Sequence, residues 1–212
     1  LQADIHLESG REQDAITLLQ RVNDRFPGSP DRPAAAAKHA RLLEKSGQFH
    51  LALPLYEDIV RTAPREMRAE GTLGLARNAE RTQQTETAHE FYATALREAP
   101  FDSPPWIEAA EAVGRLNVAA IFSTAPTPNS KLYTVESGDT LTSIGIKLNT
   151  TQGLLTLANG ITEDVILRLG QNLKYTPKDF SIVIERSTCR LFLLDKDGLF
   201  KFYRVGLGMP GS

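Results

Sequence analysis

YTVESGDTLTSI, residues 133–144, reads as a short strand, a sharp turn at Ser137 and Gly138, and the start of a helix. Tyr133 and Val135 alternate with polar neighbours as strand residues do. Gly138 permits the turn without a Cβ clash, and Asp139 is the expected N-cap of the next helix. Leu141, Ile144 and Leu148 then fall on one helical face. Nothing in the stretch is a nucleophile with a base beside it, so the turn is built to hold something rather than to react.

The unit continues beyond Ile144. Thr151 is placed to cap a second helix over 152–158, which Asn159 and Gly160 end, both being residues that tolerate left-handed geometry. Gly170 and Gln171 turn the chain into a second short strand over 172–176. Strand, helix, helix, strand across about 45 residues packs most simply as an antiparallel ribbon with both helices against one face. Before it, 123–130 carries two prolines and no apolar period and reads as an extended linker.

The residues that carry the pattern are Tyr133, Thr134 and Val135, then Gly138, Asp139, Thr140 and Leu141, then Ser143 and Ile144. Ala158, Asn159, Gly160 and Ile161 come next, and Leu169, Gly170, Gln171 and Leu173 complete it. In them the segment 131–178 resembles the LysM domain. Thr142 stands where an aromatic is common in that family and Gly145 where alanine is common, which is expected to loosen the first helix. The resemblance implies binding of glycans containing N-acetylglucosamine: peptidoglycan in bacteria, chitin elsewhere. It also implies a groove with Gly138, Asp139, Thr140 and Leu141 on one lip and Asn159, Gly160 and Ile161 on the other. An N-acetyl group offers an acceptor, a donor and a methyl. Backbone at a glycine turn can meet the first two, and Leu141 or Ile161 is placed to cover the third.

The first 122 residues repeat. Ala15, Ala52 and Ala88 are spaced by 37 and 36, and Pro27, Pro64 and Pro100 recur at the same spacings. Four residues past each alanine stands Leu19, Tyr56 or Tyr92, on the same helical face. The pattern predicts helices over 12–26, 33–45, 50–62, 66–81, 86–98 and 104–117, the last capped by Ser103 with Pro104 at its first position. Pro54 is expected in a first turn, where its missing N–H costs nothing. Gly71 and Gly74 are expected to mark close helix crossing. The small–large–proline spacing resembles the tetratricopeptide repeat, with Trp106, Ala109, Ala110 and Val113 matching half of a further unit. Such arrays present a surface to a peptide or protein partner; a spacer or dimerising role remains open. Arg61, Arg65, Arg68, Arg77 and Arg81 either line a groove for carboxylates or form a solvated face, the commoner outcome.

Residues 181–184, 190–194 and 199–205 read as strands, with an Asp197–Gly198 hairpin signal. Ile182, Val183 and Ile184, Arg190 and Leu191, Asp197 and Gly198, and Val205, Gly206 and Gly208 make 179–212 resemble the start of an L,D-transpeptidase catalytic domain. That family's nucleophile is a cysteine in an S-H-G-C motif, absent here. Cys189, the one cysteine, has no histidine near it and is expected to be a strand residue. The chain is therefore expected to be inactive alone, a piece cut at both ends.

A net charge of -2 argues against nucleic-acid binding. No apolar run approaches the ~20 residues that span a bilayer. His6, His39, His50 and His89 lack metal-ligand spacing, so no metal or other cofactor is expected. The expected fold class is multidomain: an α-solenoid over 1–122, a linker over 123–130, a small βααβ module over 131–178, and an incomplete β segment over 179–212. The expected function is peptidoglycan binding in a cell-envelope protein, with an L,D-transpeptidase as its parent. The alternatives are a non-catalytic wall-anchored scaffold, or an adaptor working through its helical array.

Overall fold

The computed structural model describes residues 2–127, 130–177, 179–196 and 198–206. Linker residues Pro128 and Asn129, the module boundary at Lys178, the turn residue Asp197, and Gly208 of the glycine pattern lie outside the described residues. The chain divides into two units, Leu1–Val113 and Gly114–Ser212.

The first unit is a stack of helices: α1 (Gln2–Glu8), α2 (Glu12–Arg25), α3 (Arg32–Lys45), α4 (Phe49–Thr62), α5 (Arg65–Arg81), α6 (Thr85–Glu98) and the first half of α7 (Pro104–Phe122). Successive helices from α1 to α6 pack on each other, and α3 also touches α5. The repeat alanines and their large partners are buried: Ala15 with Leu19, Ala52 with Tyr56, Ala88 with Tyr92. Ser103 caps α7 through Oγ, which accepts the Trp106 N–H at 3.4 Å.

Three features depart from the expectations. Helix α1 lies outside the expected set. Its end is nonetheless periodic: Gly10, Gly47 and Gln83 are all left-handed, at φ 72, 79 and 62°. In each case the next residue's N–H reaches five residues back, from Arg11 to His6, Gln48 to Leu43 and Gln84 to Ala79. Pro54 lies inside α4, past the first turn, so the allowance for a first-turn proline does not apply to it. Helix α7 runs on to Phe122, five residues beyond the expected 117, because 118–122 is apolar and free of helix breakers.

The glycines of α5 do mark close crossing. A Cβ at Gly71 would lie 2.8 Å from the Tyr56 carbonyl oxygen, and one at Gly74 would lie 2.3 Å from the Tyr56 ring.

In the second unit, β1 (Lys131–Thr134) and β2 (Asn172–Tyr175) form an antiparallel ribbon with Tyr133 opposite Leu173. Between them lie α8 (Leu141–Lys147) and α9 (Gln152–Asn159). Val135, Leu141, Ile144, Leu155 and Leu173 make their core. Gly145 brings α8 close to the next loop: its missing Cβ would stand 3.1 Å from the Thr150 carbonyl oxygen, and its own carbonyl accepts the Thr150 N–H at 2.8 Å. Thr142 donates to Gln152 at 3.1 Å. Gly145 and Thr142 thus tie α8 to the loop and to the start of α9, contrary to the expected loosening.

Strands β3 (Ser181–Glu185), β4 (Arg190–Asp195) and β5 (Gly198–Arg204) form an antiparallel meander with an irregularity between Leu193 and Leu194. Phe200 and Phe202 are its buried residues, and Asn117 of α7 donates to the Phe200 carbonyl at 2.9 Å. Ile182, Val183 and Ile184 of β3 are exposed. Cys189 is not in a strand. It sits in the turn before β4, exposed, at φ 54°, where its carbonyl accepts the Val205 N–H at 2.8 Å.

Candidate functional site

The first lip of the expected groove is a hydrogen-bonded turn. Gly138 is exposed at φ 88°, and no atom lies within 4 Å of where a Cβ would be. The cap differs from expectation. Thr140, not Asp139, is the N-cap: its Oγ1 accepts the Ser143 N–H at 3.1 Å, while the Ser143 Oγ accepts the Thr140 N–H at 2.9 Å. Asp139 turns back instead, accepting the Glu136 N–H at 2.8 Å and the Tyr133 hydroxyl at 2.7 Å. These bonds, the Glu136 N–H first, hold its carboxyl below the usual range. Lys147 donates to Tyr133 at 2.8 Å and to Glu136 at 2.7 Å. A carboxylate one residue off the cap thus becomes the staple of the turn, since a threonine hydroxyl reaches the N3 amide from position 140.

The second lip is the end of α9. Gly160 takes the left-handed conformation at φ 61°, and the Ile161 N–H bonds back to Thr156 at 3.1 Å. The Asn159 amide is saturated by backbone: Nδ2 donates to Leu155 and Lys174 carbonyls, each at 2.8 Å, and Oδ1 accepts the Lys174 N–H at 2.7 Å. Its side chain therefore belongs to the scaffold that joins α9 to β2.

Leu141 is buried, and half-buried Ile161 packs against the same apolar cluster. The two lips are thus anchored in one core. Leu141 is consequently not available as a side chain to cover a ligand's methyl. Both lips present outward glycine backbone and the Thr140 region: Ser137, Gly138, Thr140 and Gly160 are exposed.

The first unit holds a groove of about 780 Å³ across α3, α5 and α7. Arg77 lies in it, but not as a free cation. It donates to Glu44 at 2.7 and 2.9 Å, to Glu108 at 2.5 Å and to the Tyr56 hydroxyl at 3.0 Å. Arg41 joins Glu70 at 2.9 Å and Glu108 at 3.0 Å. Burial opposes the Glu44 charge, yet the Arg77 and Tyr56 hydrogen bonds hold its carboxyl below the ordinary range. The expected partner surface thus has internally paired charges, and Arg61 pairs with its neighbour Asp58 at 2.7 Å. Glutamates 44 and 80 each bond the tyrosine twelve residues on, Tyr56 at 2.7 Å and Tyr92 at 3.0 Å. The equal spacing was the available signal in the sequence for this contact.

Among the described residues no group of three or more His, Cys, Asp or Glu is placed to hold a metal ion, and no helix is long and apolar enough to cross a membrane.

Residues 133–176 match the LysM domain family, and residues 37–103 match the tetratricopeptide repeat family. No curated protein matches the chain. The chain therefore carries a LysM module, whose family supports binding of N-acetylglucosamine-containing glycans, behind tetratricopeptide-like helical repeats compatible with protein interaction.

Proposed function

We propose that the LysM module binds peptidoglycan or a related N-acetylglucosamine glycan between residues 138–141 and 159–161, and that the protein works in the bacterial cell envelope. The observation that carries this reading is the pair of outward glycine lips rooted in one core. Backbone carbonyls at Gly138 and Gly160 offer acceptors to an N-acetyl group, and the absence of a Cβ at Gly138, where the space is open, lets the sugar approach. Leu141 and Asn159 contribute through backbone and by rooting the lips, Leu141 in the core and Asn159 on β2; Ile161, half-buried, supplies apolar surface. Asp139 and Thr140 shape the first lip. The test is co-sedimentation of the full chain with purified peptidoglycan, together with a chitotetraose titration followed by amide shifts. Movement at 138–140 and 160–161 supports the site; a chain that stays in solution with no shifts removes it.

The segments 1–122, 131–178 and 179–212 act in this reading as a partner-binding array, a glycan anchor, and the opening of an L,D-transpeptidase domain. The meander β3–β4–β5 at the expected strand positions is what supports the last part. In the parent enzyme a cysteine would crosslink peptidoglycan stems while the LysM module raises local substrate concentration. Reading the gene past Ser212 decides it: a frame with no S-H-G-C motif leaves the wall-anchored scaffold, whose repeats recruit a protein partner.

A further inference from the structure

The start of the linker is held rather than free. Lys174 of β2 is buried, 4% exposed. Its Nζ donates to the carbonyls of Ala120 at 3.0 Å and Ser123 at 2.5 Å. A buried ammonium demands such acceptors, and the last carbonyls of a helix lack intrahelical partners and carry its negative end. Lys174 thus caps the end of α7 from within the LysM module. Burial pushes its ammonium below the usual lysine range.

The same residue is clamped from the other side by Asn159 through both its N–H and its carbonyl. One chain of hydrogen bonds runs from α7 through Lys174 to the second lip. It also fixes where the linker leaves α7. The Thr124 methyl lies 3.4 Å from the position a Cβ would take on Gly160, ordinary van der Waals contact. Thr124 and Gly160 are both exposed, so a ligand seated on the lip reaches the threonine.

We propose that Thr124, outside the segment matching the LysM family, is a further contact residue for the amino-sugar glycan, extending the second lip, and that Lys174 and Asn159 are the positioning residues that set it there. This rests on the glycan reading above. A threonine at that place offers an acetylated sugar one hydroxyl, as donor or acceptor, and one methyl.

The test is a chitotetraose titration of the full, isotope-labelled chain. The expected result is amide movement at Thr124 together with Gly138, Thr140 and Gly160. Thr124→Gly should weaken binding about fivefold, the loss of one neutral hydrogen bond, with the Gly138 shift retained. Lys174→Met should abolish the ligand-induced shift at Thr124 and retain that at Gly138. Should Lys174→Met fail to fold, Thr124→Gly with the wild-type titration decides alone. Movement at Gly138 and Gly160 with a silent Thr124 and wild-type affinity in Thr124→Gly overturns this inference and leaves the glycan site standing. No movement anywhere overturns both.

Discussion

The ring of Tyr56 fills the space a side chain at Gly74 would need, so helices α4 and α5 cross at backbone distance. Alanine at 74 gains about 1 kcal/mol in helix propensity. Forcing a Cβ to 2.3 Å from the ring displaces a buried tyrosine whose hydroxyl bonds Glu44 and Arg77. Overpacking of that kind costs about 1–3 kcal/mol and wins. Gly74→Ala should lower the urea midpoint of the helical unit. Gly153→Ala, with open space at its Cβ position, should not lower stability; equal losses at both sites refute the packing argument.

Gln83 occupies the left-handed position that glycine fills at 10 and 47. A left-handed side-chain residue costs roughly 1–2 kcal/mol, partly offset by the greater freedom glycine has when unfolded. Gln83→Gly should therefore stabilise the chain by about 0.5–1 kcal/mol, read as a raised thermal midpoint. A lowered midpoint contradicts it.

Arg77 is the common partner of Glu44, Glu108 and Tyr56. Arg77→Met leaves Glu44 without its cation and Glu108 with Arg41 alone, and should cost about 2–3 kcal/mol. Adding Glu44→Gln removes one stranded charge and should recover part of the loss. A double variant no more stable than the single one argues against an electrostatic origin.

His39 is buried against Asn23, with Nδ1 3.2 Å from Nδ2. Burial holds its pKa below the ordinary 6.5, against a smaller opposing pull from Asp24. The unfolded chain then binds a proton that the folded one refuses. The stability tied to His39 is complete above about pH 6.5 and is lost as pH falls from there through the folded value. Denaturation at pH 7.5 and 5.5 should show the decline, and His39→Gln should flatten it. An unchanged slope in the variant places the titration elsewhere.

Asn159 makes three hydrogen bonds to backbone, two of them to Lys174. Asn159→Ala leaves those partly buried groups without their partner and should cost the LysM module about 2 kcal/mol. Asn159→Asp keeps the acceptor for the Lys174 N–H but sets a carboxylate oxygen against the Leu155 and Lys174 carbonyls, and should cost at least as much. Hydrogen exchange at the Lys174 amide reads both; protection unchanged in Asn159→Ala would show that the clamp carries no stability.

Features that depend on near neighbours were legible in the chain before any folding was known. The repeat helices, the strand–helix–helix–strand order and the tail strands come from apolar period, proline, glycine and caps, all settled within a turn or two of chain. Helix α1 was not legible, because a helix of 7 residues has too little apolar period to announce itself. The site was legible only as two loops. Whether Asp139 or Thr140 caps α8 depends on Tyr133 and Glu136 arriving beside the carboxylate, and the fate of the Asn159 amide depends on Lys174 lying across the ribbon. The pairing of Arg77 with Glu44 and Glu108, and of Lys174 with the end of α7, joins residues 31 to 54 positions apart. Only tertiary packing brings such groups together, because a side chain's hydrogen-bond partner is set by what lies within about 3 Å in space, not by what stands next to it in the chain.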